Sequence, residues 1–158
     1  MPKIIPTPDK ALKKAESYCA YQERSQQEVR DKIYSWGLHK KEVEEIISTL
    51  ISTGYLKEER FASAFAGGKF RIKKWGKKKI RLALQNKQVS EPLIRKALAE
   101  IDEKDYKKTL KEVIASRSKQ IKEKNVLKRK YKIASYAISR GFEPEKVWEA
   151  IGYLEDAE

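Results

Sequence analysis

Val43-Glu44-Glu45-Ile46-Ile47-Ser48-Thr49-Leu50-Ile51 is the stretch that decides how this chain folds. Val43, Ile46, Ile47, Leu50 and Ile51 fall at the spacings that line one face of a helix. The run stops at Thr53-Gly54, where glycine lets a helix end in a left-handed turn. The same face then recurs. Moving 51 residues forward gives Ile94, Ala97, Leu98 and Ile101, and moving 104 forward gives Val147, Ala150, Ile151 and Leu154, in one register.

Helical spacing recurs by chance, so the helix and turn ahead of each face are the stricter test. They match as well. Val29 corresponds to Ile80 and Ile133, Ile33 to Leu84 and Ala137, and Leu38 to Val89 and Phe142. The turn position is Gly37 in the first copy, Gln88 in the second and Gly141 in the third; a left-handed residue is expected there, and Gln88 is the weak member. Ser25-Gln26-Gln27-Glu28 reads as a capping box, Thr7-Pro8 as a cap followed by proline in the first turn, and Ser90 as the cap of the helix carrying Ile94. Each copy opens with a further helix, over about 9–22, 58–72 and 103–124, the second expected to bend or fray at Gly67-Gly68.

A single unit of this size cannot bury its own apolar face, and stacking neighbours solves that problem. The expectation is an all-α chain of three tandem three-helix repeats, forming an elongated, curved body with right-angle helix packing. Its divisions fall at a flexible N-terminal arm (1–8) and repeats at 9–56, 57–102 and 103–155.

Composition narrows the function. Apolar residues make up 40% and charged residues 37% of the chain, which suits thin helical layers wet on one side. No stretch approaches the roughly eighteen apolar residues of a membrane span, and Met1 to Pro8 lack the apolar run of a secretory signal, so a cytoplasmic protein with no membrane partner is expected. Cys19 is the single cysteine and reads as a packed thiol. His39, the single histidine, sits in a polar turn without a second metal ligand, so neither a metal nor a cofactor is expected. Gly76-Lys77-Lys78 lacks the upstream glycine and the Ser/Thr of a phosphate loop. Glu44-Glu45 and Glu58-Glu59 are adjacent pairs that diverge on a helix rather than converge on a substrate. No catalysis is expected.

The net charge of +13 is concentrated. Between Ala66 and Ser90 stand Lys69, Arg71, Lys73, Lys74, Lys77, Lys78, Lys79, Arg81 and Lys87 with no Asp or Glu, whereas residues 1–65 hold 11 basic and 10 acidic residues. A second excess runs from Arg117 to Lys132, including Lys128, Arg129 and Lys130, against Glu123 alone. A face that only keeps a protein soluble mixes signs; these segments point to a polyanionic partner. The helix starting near Lys77 should add free backbone N–H groups to the central one. Trp75 and Phe70 lie within that segment. Phe70 reads as core, and Trp75 is open between core closure and base stacking. Arg60-Phe61-Ala62 and Phe65 are expected to anchor the first repeat to the second with their rings buried, Arg60 bonding carbonyls near Gly54.

Several short motifs in order resemble the RecX family: Tyr18-Cys19-Ala20-Tyr21-Gln22-Glu23-Arg24-Ser25 with Glu28; Gly54-Tyr55-Leu56-Lys57-Glu58-Glu59-Arg60-Phe61-Ala62; Gly76-Lys77-Lys78-Lys79-Ile80 with Leu84; and Ser139-Arg140-Gly141-Phe142. The resemblance covers Leu12 to Leu154. It implies three tandem three-helix repeats, no enzymatic activity, and binding along the groove of the RecA–DNA filament, inhibiting recombination and co-protease activity in DNA repair and the SOS response; the sequence itself gives no sign of self-association, so a monomer is expected. The alternatives on residues alone are a stand-alone DNA- or RNA-binding protein using the same basic segments and, third, a helical adaptor that binds an acidic protein. The chain departs from the family pattern at Lys77, often proline, at Gln88, often glycine, and at Gly67-Gly68.

Overall fold

Among residues 4–156, which the computed structural model describes with side chains as far as Gly152, the backbone forms nine α-helices and no strand. They are α1 (Pro8–Tyr21), α2 (Gln26–Ser35), α3 (Lys40–Ser52), α4 (Glu58–Lys73), α5 (Lys77–Asn86), α6 (Glu91–Ala99), α7 (Glu103–Gln120), α8 (Val126–Ser139) and α9 (Pro144–Asp156). The main helix packing is within threes: α1, α2 and α3 on one another, then α4, α5 and α6, then α7, α8 and α9.

The residue-by-residue register is what buries each triplet. Val29, Ile33, Leu38, Val43, Ile47 and Leu50 are buried, as are their counterparts Ile80, Leu84, Val89, Ile94, Leu98 and Ile101, and Ile133, Ala137, Phe142, Val147 and Ile151. Leu154, which completes the third face, has its side chain outside the described residues. Ile51 departs from the expected face: it is 46% exposed, because one stripe of Val43, Ile46, Ile47 and Leu50 already fills the contact and Ile51 lies beyond its edge.

All three turn positions take positive φ: Gly37 at 97°, Gln88 at 62° and Gly141 at 101°. The turn bonds repeat too, with Gly37 N donating to Tyr34 O, Gln88 N to Gln85 O and Gly141 N to Ile138 O at 2.9 Å each. Gln88 therefore holds the conformation that glycine adopts most cheaply, which confirms the alignment at its weakest residue.

Helix starts follow the cap signals in part. Lys10 N donates to Thr7 Oγ1 (3.4 Å) and Glu28 N to Ser25 Oγ (3.1 Å). Ser90 precedes α6 without a side-chain cap bond. His39 is the exposed residue ahead of α3, its N–H donating to Glu42 Oε1 at 3.4 Å. Two helix expectations are corrected. Helix α4 runs unbroken through Gly67 and Gly68, since its flanking Phe61, Ala62, Ala66 and Phe70 bury a continuous stripe. Helix α7 stops at Gln120 rather than Lys124, because Ile121 turns into extended backbone. Cys19 is buried in the first core, and burial pushes its thiol pKa up.

Apolar packing divides the molecule unequally. The first repeat has its own core, from Ala11 and Ala15 to Leu56. From Phe61 to Ile151 a single core runs through α4–α9, uniting the second and third triplets.

Candidate polyanion-binding face

The central basic segment sits at the end of α4, the following turn and α5, and the unified core fixes where it points. Phe70, Ile80 and Leu84 are buried, so the intervening cations face outward or lie along the surface. A chain of rings, Phe70 to Tyr106 (centroids 5.8 Å) and Tyr106 to Phe142 (5.3 Å), ties α4, α7 and the α8–α9 turn together beneath them.

The start of α5 is not free. Gly76 N donates to Arg140 O (2.8 Å), Lys77 N to the Tyr106 hydroxyl (3.0 Å) and Lys78 N to Gly141 O (2.9 Å). Three of the N–H groups at this helix start are thus consumed by the third repeat, so anion binding at this face falls chiefly to side chains. Close approach requires both glycines. A Cβ on Gly76 would overlap the Gly141 backbone, and one on Gly141 would lie 2.6 Å from Lys79 N. Arg140 reaches back so that its guanidinium donates to Lys73 O, placing a cation on the C-terminal end of α4. The Tyr106 hydroxyl in turn donates to Glu143; burial, then that carboxylate, holds the phenol far above its ordinary pKa, so it stays a donor.

The nine cations have different surroundings. Lys87 Nζ pairs with Glu28 (2.9 Å), Lys74 Nζ with Glu112 (3.7 Å), Lys77 Nζ with Glu103 (4.0 Å), and Arg81 with Glu91. Lys69 and Lys79 lie over the Trp75 ring, 4.9 and 4.6 Å from its centroid. Trp75 is half-buried against the core with ammonium groups on its ring, so its place is core closure beneath a charged rim. Arg71 lies beside Gly67 in a groove of about 590 Å³ between α4 and the α6–α7 turn. Lys73 is exposed and Lys78 is exposed. Among the described residues Lys69, Arg71, Lys73, Lys78 and Lys79 make no ion pair.

The second basic segment crosses from α7 through residues 121–125 into α8. Arg129 folds that crossing: Nη1 donates to Ile121 O (2.7 Å), and Nη2 to Ser118 O (2.5 Å) and Ser118 Oγ (2.7 Å). Lys132 pairs with Glu123 at 3.0 Å, which, with the Asn125 N–H, holds the Glu123 carboxyl below the usual range. The side chain of Lys128 is exposed. Lys130 lies on the following position of α8, half-buried. The structure thus separates Arg129 from the lysines that the sequence grouped with it.

The first repeat meets the second through polar groups. Arg60 donates to Glu23 (2.5 Å) and to Gly54 O (3.1 Å) and Tyr55 O (3.3 Å), as its neighbourhood in sequence suggested. Gln26 N donates to Glu58 at 3.3 Å, and burial, opposed by that bond, pushes the Glu58 carboxyl up. Phe61 is buried in the core of the second repeat, while Phe65 is half-buried beside Lys87, whose Nζ lies 5.7 Å from its ring centroid. Buried rings therefore do not form this boundary. No group of His, Cys, Asp and Glu among the described residues is arranged to hold a metal, and no described helix is long and apolar enough to cross a membrane.

Sequence reading missed Tyr106 and Glu143, whose signal was a tyrosine buried in an otherwise polar helix start, and Arg140, whose signal was its place next to Gly141 in an ordered motif. It also missed an exposed aromatic pair on the third repeat, Tyr131 and Trp148, with ring centroids 5.0 Å apart.

Comparison with known proteins gives these features a family. The family model for the first three-helix domain of RecX matches residues 11–50, and that for the second three-helix domain matches residues 58–98, together half of the chain. Regulatory protein RecX of Thermotoga petrophila is 29% identical over 150 residues, covering 94% of this chain and 87% of that one. Regulatory protein RecX of Lactobacillus johnsonii is 29% identical over 135 residues, 85% of this chain but 50% of the relative's length. The chain therefore spans most of one relative and half of another. A crystal structure of RecX from Lactobacillus salivarius matches the fold with a TM-score of 0.85 at 22% identity, over 94% of this chain and 96% of that one. Two glycines that let α5 seat on the α8–α9 turn, the ordered motifs around them and the family matches over the first two triplets agree: the chain belongs to the RecX family.

Proposed function

We propose that this protein, built of repeats bounded near residues 56 and 102, regulates the RecA recombinase by docking on the RecA–DNA filament. Docking restrains strand exchange and co-protease activity. The observation that carries the reading is the stretch Ala66–Ser90, with nine cations and no carboxylate, of which Lys69, Arg71, Lys73, Lys78 and Lys79 make no ion pair among the described residues. Arg71 faces a groove that Glu59, Glu100, Asp102 and Asp105 also line, whereas Lys69, Lys73, Lys78 and Lys79 are like charges on a rigid support that repel one another until a polyanion or an acidic groove approaches. The relatives' description as regulatory proteins supports a regulatory role, and inhibition as its direction follows from the family resemblance alone.

Catalysis has no part in this reading. The cations hold no nucleophile or base among them, and their role is attraction and orientation on a charged partner. The protein acts as a cytoplasmic monomer.

The test is RecA-catalysed DNA strand exchange with increasing amounts of the protein, alongside RecA-stimulated cleavage of a co-protease substrate. The expected result is inhibition of both. Unchanged rates at stoichiometric protein would overturn the proposal, and salt-sensitive binding of naked DNA with unchanged exchange would replace it with a stand-alone nucleic-acid-binding role.

A further inference from the structure

Between the end of α7 and the outer face of α8 lies a groove of about 430 Å³ lined by Arg117, Ile121, Tyr131, Lys132, Ser135 and Tyr136. Two phenol rings, two cations and a hydroxyl converge there, and no carboxylate among the described residues lines it. The size falls toward the lower end of ligand clefts, roughly 300–1,000 Å³.

Its parts are prepared for a flat, anionic guest. The Arg117 guanidinium lies 4.4 Å from the Tyr136 ring centroid and is steadied by a 3.2 Å bond to Gln120, while its Nε–H is buried with no hydrogen-bond partner among the described residues. Opposite it Tyr131 is 57% exposed, held edge-on by Trp148, which is itself 37% exposed. An exposed aromatic pair contributes little burial to the fold and leaves a π-face to solvent. Lys124 and Lys128, both exposed, stand just ahead of the groove's α8 residues in the chain, and Lys132 engages Glu123. Glu145 and Glu149 stand on α9 a turn before and just after Trp148, so the anion-accepting side of the groove is the α7–α8 side.

We propose that this groove takes an unpaired base of single-stranded DNA, stacked on Tyr131, with Arg117 meeting one flanking phosphate and Lys132 exchanging its Glu123 partner for the other. Bases stack on exposed aromatics whatever their identity, and cations beside the ring neutralise the backbone; an acidic protein segment would find the cations but have no use for the rings. The choice of DNA over RNA rests on the filament reading above; the stacking does not.

The experiment is fluorescence anisotropy of labelled oligothymidylate, oligouridylate and an abasic strand of equal length, titrated with wild type, Tyr131→Ala and Tyr131→Trp. Wild type should prefer the thymidylate strand to the abasic one. Tyr131→Ala should lose roughly tenfold in affinity for thymidylate, none for the abasic strand, and keep the salt slope, while Tyr131→Trp retains binding. Equal binding of abasic and thymidylate strands by wild type, or equal losses for both in Tyr131→Ala, would overturn the slot. Tighter binding of oligouridylate would overturn its assignment to DNA. Strand exchange is read separately, so failure of the slot and failure of filament docking are distinguishable.

Discussion

The central repeat has two boundaries, and they are made of different materials. Toward the first repeat it presents Arg60 to Glu23, Glu58 to the Gln26 N–H and Lys87 to Glu28, all partly wet. Toward the third it shares one apolar core, a train of rings through Tyr106, and a backbone contact so close that only glycine fits at Gly76 and Gly141. Charge pairs in water hold loosely and are weakened by salt, whereas buried area and backbone fit hold position. Helices α4–α9 therefore act as one rigid support for the basic face, to which α1–α3 are attached by a softer seam.

Breaking the rigid boundary should have the largest effect. Gly76→Ala drives a methyl into the Gly141 backbone, so a loss of about 3 kcal/mol or more is expected in urea unfolding. Tyr106→Phe keeps the ring and removes a hydroxyl, leaving Lys77 N–H and the Glu143 carboxylate without it; the expected cost is about 1–3 kcal/mol by the same measurement. At the soft boundary Lys87→Met removes a half-exposed pair with Glu28, and the expected cost is about 0.5–1 kcal/mol, vanishing in high salt. If Lys87→Met proved as costly as Gly76→Ala, the contrast between the two boundaries would fail.

A pH scan sharpens the same contrast. The bond from Lys146 holds Glu103 below the usual carboxylate range, with a smaller contribution from Lys77. Its folded pKa is depressed, so its stabilisation is present above the ordinary Glu value and is lost as pH falls through the folded value. Burial pushes Glu58 at the soft boundary the other way, so its charge costs stability as pH rises through and above the ordinary value. Glu103→Gln should flatten the acid limb of the stability curve, and Glu58→Gln should raise the plateau at neutral pH relative to the acid limb.

Much of this was legible in the sequence because it rests on local rules. Register at Val43, Ile94 and Val147, the turn residues Gly37, Gln88 and Gly141, and the position of Arg60 all follow from periodicity and backbone freedom. What was not legible depends on residues far apart in the chain. Nothing near Lys77 announces that Tyr106 and Gly141 will take its helix's N–H groups, and nothing near Arg129 announces that Ser118 and Ile121 will hold its guanidinium. A run of lysines shows where charge accumulates; only the fold separates Lys74, Lys77, Arg81 and Lys87, which have carboxylate partners, from Lys73 and Lys78, which have none among the described residues.

That separation gives the most direct test of the central claim. Lys73 and Lys78 are exposed on the rigid support, so Lys73→Glu/Lys78→Glu should fold with wild-type stability. RecA-catalysed strand exchange is then measured with equal amounts of wild type and the double variant: wild type should inhibit and the variant should not, and equal inhibition by both would contradict docking through this face.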